Sequence, residues 1–217
     1  MYKQSDLSDE SMLSSRNDLS DESMLCNQNS LSDKELLIVH YGVADKAGRR
    51  QSLNAIADVL KMIFPDYEVQ QAFSSQRVID RIKNQEGVDI KSVKMALDEA
   101  ASNHVRSLVV LPTYIISGIE YHSLLEIVHA YEEKFVSIKM CKPMLTEKDD
   151  FNITADAIAA YASCYDDEQT AICLMGHGTT DAANEAYLRL QSTFNDKNYV
   201  NYYVGTKCAS PMAKDIL

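Results

Sequence analysis

A single histidine stands between two glycines in Gly176-His177-Gly178-Thr179, directly after the apolar run Ala171–Met175. A short continuous apolar run reads as a strand buried on both faces. The stripe Ala183, Tyr187, Leu190 and Phe194 that follows has helical spacing. His177 therefore falls at the carboxyl tip of a strand, where open α/β sheets bind ligands. The glycines permit a tight turn and leave room for a ligand, and Thr179 or Asp181 can cap the helix. An imidazole in that position can accept a proton or bind a metal. Taken alone, Gly-His-Gly is equally compatible with a structural turn.

Two further segments, His40-Tyr41-Gly42 and Pro112–Glu120, follow apolar runs in the same way. The basic residues fall into two groups, Lys46, Arg49 and Arg50 after the first run, and Arg77, Arg81 and Lys83 after the second. Both groups belong near one edge of the sheet. There they would gather a small polyanion or form ordinary solvated helix starts. Other chemistries find little support. The chain has no GxGxxG and no Walker lysine for a nucleotide, no GxSxG elbow for a serine hydrolase, and no tight four-ligand His/Cys cluster for zinc. His122 and His129 are seven residues apart and share a helix face, which reads as a solvated surface.

The elements that must position these residues alternate. The first cycle has a strand at Leu36–Val39, a helix through Leu53, Ile56, Leu60 and Ile63 stopping at Pro65, and a strand at Tyr67–Phe73. Helices follow through Val78, Ile79 and Ile82 to Gly87, and through Val93, Ala96, Leu97 and Ala100. A strand at Leu108–Leu111 comes next, then a long helix through Leu124, Val128, Tyr131 and Phe135, and a strand at Ser137–Met144. The second cycle has a helix through Ala157, Ile158, Tyr161 and Ala162, the strand before His177, the helix after it, and a strand at Tyr199–Val204. Alternation of this kind predicts βαβ units and a parallel sheet. The expected architecture is α/β, with a first domain over 35–145 and a partial second domain over 146–217. A flavodoxin-like binding module is an alternative, disfavoured by the missing phosphate loop.

Composition bounds the function. The 217 residues are 46% apolar and 24% charged with a formal charge of −11, which suits a globular protein and a poor nucleic-acid binder. No stretch of 18 apolar residues occurs, so no membrane span is predicted. The five cysteines form no CxxC and read as free thiols of a reducing compartment, with the cytoplasm expected. DLSDESML occurs twice in the N-terminal 34 residues, at 6–13 and 18–25, and a decayed copy at 30–37 runs into the first apolar run. Identical copies twelve residues apart predict a disordered acidic tail produced by duplication, with a docking peptide as the alternative.

A set of ordered motifs points to a family. They are Ala72-Phe73-Ser74-Ser75, Gln85–Ile90, Leu111-Pro112-Thr113-Tyr114-Ile115-Ile116-Ser117-Gly118-Ile119-Glu120-Tyr121, Pro143-Met144-Leu145, Met175-Gly176-His177-Gly178-Thr179 and Val204-Gly205-Thr206. From Leu36 onward the chain resembles the anaerobic sirohydrochlorin cobaltochelatases, the class II chelatases that insert cobalt into sirohydrochlorin. The resemblance implies two similar α/β domains with the tetrapyrrole between them, and His177 as proton acceptor and metal ligand. It implies Arg49 as a partner for substrate carboxylates and Tyr114, Gly118 and Glu120 as substrate-binding positions. Cobalt(II) would be a substrate, with no cofactor permanently bound, and homo-oligomerisation is possible. Several positions depart from the family pattern. His40-Tyr41-Gly42-Val43-Ala44 replaces Ser-Phe-Gly-Thr-Ser, Tyr114 replaces a histidine, Ser117 replaces an asparagine, and Cys208 falls on the metal-binding glutamate. The family's second catalytic histidine would lie beyond Leu217, so the second domain is expected to be incomplete. The alternative implied by these departures is an inactive relic that at most binds a tetrapyrrole or a metal.

Overall fold

In the computed structural model, which describes residues 33–167 and 169–215, the first apolar run forms β1 (Lys34–His40), buried from Glu35 to His40. It lies inside a four-stranded parallel sheet ordered β2-β1-β3-β4, with β2 at Glu68–Phe73, β3 at Ser107–Pro112 and β4 at Ser137–Met140. An interior parallel strand is covered on both faces, so it needs an unbroken apolar run rather than an alternating one. Val39 pairs with both Ala72 and Pro112, so β1, β2 and β3 finish level at one edge.

A short turn α1 (Lys46–Gly48) and a π-helical turn at Arg49–Leu53 lead into α2 (Asn54–Ile63). Helices α3 (Gln76–Glu86), α4 (Val93–Ser102) and α5 (Ile119–His129) complete this part of the chain. The main core joins Leu37, Val39, Leu108 and Val110 of the sheet to Leu97 of α4 and Leu124 of α5. A smaller cluster unites Leu53, Phe73, Ile79 and Ile82. Gly87, at φ +68°, closes α3 in the left-handed conformation, where the sequence places the helix stop.

The second sheet has two parallel strands, β5 (Ile172–Gly176) and β6 (Tyr202–Thr206), linked through α7 (Glu185–Asp196). Before them runs α6 (Lys148–Ala162), opened by a capping box in which Glu147 and Asp150 satisfy each other's backbone N–H groups. Phe151, Ala155, Tyr187, Leu190, Phe194 and Tyr202 form its core, with the Phe194 and Tyr202 rings stacked 5.1 Å apart. Among the described residues, all six strands are parallel to their neighbours, as the α/β reading requires.

Three boundaries differ from the sequence reading. The long helix through Leu124 stops at His129, and a 3₁₀ turn at Glu132–Lys134 swings Phe135 into the sheet core. Apolar spacing continues across that break because Tyr131 and Phe135 serve the same core from a turn. The strand expected at Ser137–Met144 ends at Met140, short of Pro143. The strand expected from Tyr199 starts at Tyr202, because Asn198 at φ +60° and the Tyr199 N–H to Phe194 carbonyl bond close α7 first. The duplicated N-terminal segment lies outside the described residues. Among the described residues, no helix is long and apolar enough to cross a membrane.

Candidate active site

Gly176 and Thr206 are paired at the ends of β5 and β6, so the chain leaves both strands side by side. The ladder continues for two more bonds, Lys207 N–H to the Gly176 carbonyl at 3.1 Å and Cys208 N–H to the His177 carbonyl at 3.0 Å. This backbone arrangement sets the His177 Nε2 3.8 Å from the Cys208 Sγ, both exposed. Gly178 takes φ +80°, and a Cβ there would press on Thr206. Asp181 caps the following turn through the Ala183 N–H at 2.9 Å, so of the two expected caps it is Asp181 that acts. Asn184 accepts from the Thr179 N–H at 3.1 Å and donates to the Ser210 carbonyl at 2.6 Å, clamping the two loops together.

Gly176 has a second reason for its identity. A Cβ at this position would overlap the Tyr187 ring, which is buried in the core. Gly176→Ala should therefore lower stability by about 1–3 kcal/mol through overpacking. Thermal unfolding of the variant checks this, and an unchanged melting temperature would show that Tyr187 has room to move.

The His177 loop faces the segment after β3 across a cleft of about 660 Å³. Tyr114, Gly118, Glu120, His177 and Cys208, five of the six expected site residues, line it. Apolar side chains dominate the rest of the wall, and several are unusually exposed: Met175 at 74%, Ile119 at 60% and Tyr41 at 52%. Large apolar groups gathered in this way around one concavity mark a ligand site. The Tyr114 hydroxyl donates to Ser74 Oγ at 2.8 Å. Burial raises the Tyr114 phenol above its ordinary pKa despite that bond, so it stays a neutral donor. Among the described residues, no group of three or more His, Cys, Asp or Glu side chains could hold a metal, so His177 and Cys208 form a two-donor pair.

The sixth residue, Arg49, lies elsewhere. Its guanidinium donates to the carbonyls of Val43 (3.3 Å) and Ala44 (2.6 Å) and pairs with Glu86 at 2.5 Å, in the wall of a separate cavity. His40 is also not at the surface. It is 1% exposed, with Nδ1 2.9 Å from Thr113 Oγ1 and Nε2 3.1 Å from Gln71 Oε1. Burial lowers its pKa, so it is a neutral link between β2 and the residue before Tyr114. Its neighbour Tyr41 is the one that reaches the cleft. His122 and His129 are both exposed on α5, as a solvated face requires. Sequence reasoning overlooked Asn184, whose only local signal is a polar side chain three residues after the cap at Asp181.

The chain is 24% identical over 123 residues to the sirohydrochlorin cobaltochelatase of Salmonella typhimurium (strain LT2). That match takes in 57% of this chain and 46% of the relative, so the chain spans about half of the relative's length. The family model for cobalt chelatase (CbiK) matches residues 34–217, which include β1, both sheets and the whole cleft. On the extent of that match, the chain belongs to the cobalt chelatase (CbiK) family.

Proposed function

We propose that the chain inserts cobalt(II), or a related divalent metal, into sirohydrochlorin within the cleft between β3 and β5. The observation that carries this reading is the exposed imidazole of His177 at the lip of an apolar cleft, on a chain of this family. A flat macrocycle needs broad apolar walls, and Tyr41, Tyr114, Ile119 and Met175 supply them. Insertion replaces two pyrrole N–H protons by one divalent ion, so two protons must leave for each metal that enters. His177 is placed to accept them in turn and pass them to solvent. Its pairing with Cys208 offers one nitrogen and one sulfur donor to the incoming metal. Two protein donors leave the remaining coordination positions open to the pyrrole nitrogens, which suits a metal that must be handed over.

A second reading, tetrapyrrole binding without insertion, is favoured by the same two-donor site among the described residues. Both readings require the macrocycle to bind. Titrating sirohydrochlorin into the full chain and following its absorption should give saturable one-to-one binding. Ile119→Asp should weaken it about tenfold or more by placing a charge against the ring. Absence of saturable binding would remove both readings.

A further inference from the structure

The cavity that holds Arg49 shares no lining residue with the cleft. It measures about 600 Å³, within the range of small-molecule sites, and is bounded by the π-helical turn, β2 and the segment after α3. Four cations face it: Lys46, Arg49, Arg50 and Lys91. Its two carboxylates are already taken, Glu86 by Arg49 at 2.5 Å and Asp89 by Lys83 at 2.7 Å. Lys91 reaches Glu99 at 2.7 Å. The side chains of Lys46 and Arg50 are left with no ion pair or hydrogen bond among the described residues. The cavity thus carries two uncommitted cations in a chain of net charge −11.

We infer that this cavity is a second binding site, distinct from the cleft, for a small anion bearing two or more phosphate or carboxylate groups. Arg50 supplies a planar fork that can grip such a group in a bidentate manner, and Lys46 adds a point charge beside it. Arg49, anchored by Val43, Ala44 and Glu86, sits where α1, which carries Lys46, meets the π-helical turn, which carries Arg50. Widened π-helical turns recur at ligand sites because they re-aim side chains without ending the helix. The site does not depend on the chelatase reading, since none of its residues reaches the cleft.

Calorimetric titration of the full chain with pyrophosphate and, separately, with citrate tests this. At least one of the two should bind saturably at a single site, and which binds more tightly separates phosphate from carboxylate ligands. The double variant Lys46→Glu/Arg50→Glu should weaken that binding about tenfold or more. Arg50→Gln, a milder change, should produce a smaller loss in the same direction. Lys139→Glu, which reverses an exposed cation on β4, should leave binding unchanged. No saturable binding of either anion, or an equal loss with Lys139→Glu, would overturn the inference by leaving only a general ionic effect.

Discussion

His177→Ala should lower the rate of cobalt(II) insertion into sirohydrochlorin by about a hundredfold or more, the scale expected when a positioned proton acceptor is removed. The fold should barely notice. His177 is exposed, and the groups that hold its loop are the backbone bonds to Lys207 and Cys208 and the Asn184 clamp. Stability should therefore change by no more than about 0.5 kcal/mol. Initial rates and thermal unfolding of the same preparation separate the two effects. A variant that unfolds early would show that the imidazole is structural, and one that keeps its rate would show that it is not the proton acceptor.

Glu35→Gln should raise stability at pH 8 by about 2–3 kcal/mol. Glu35 is the second residue of β1, 5% exposed, and stands directly beside Glu68 in the parallel register. Its pKa is pushed up to about 7, first by burial and then by the charges of Glu68 and Glu99, against which Lys91 acts. The folded protein thus holds this proton more tightly than the unfolded chain does. Its contribution is fully present below the ordinary carboxylate pKa, declines as pH rises, and is lost above about pH 7. Glutamine keeps the shape and cannot ionise, so its advantage should grow from pH 5.5 to pH 8. Denaturant unfolding at both pH values measures this. An advantage of equal size at the two would mean that Glu35 does not titrate in this interval.

Local signals carried much of this molecule. The unbroken run Leu36–Val39 reads as a strand buried on both faces and is one, and the helix stop read near Gly87 is met by its left-handed backbone angle. The Gly176-His177-Gly178 turn was legible for the same reason, since strand, glycines and capping aspartate are contiguous. What the sequence hid depends on distant partners. Arg49 looks like a free cation after a strand until Glu86, 37 residues later, folds against it. His40 looks like a strand-tip donor until Gln71 and Thr113 enclose it. Cys208 meets His177 across 31 residues because β5 and β6 pair, and no spacing rule brings them together. The end of α5 was misplaced for a related reason: core contacts at Phe135 continue an apolar rhythm that the backbone had already abandoned.

Whether this cleft performs the proposed metal insertion is tested most directly by the anaerobic absorption change of sirohydrochlorin mixed with cobalt(II), with and without the full chain. The expected result is an initial rate well above the protein-free mixture, saturating as sirohydrochlorin increases. Saturable binding of sirohydrochlorin with an insertion rate no greater than the protein-free control would contradict it and leave a binding protein in its place.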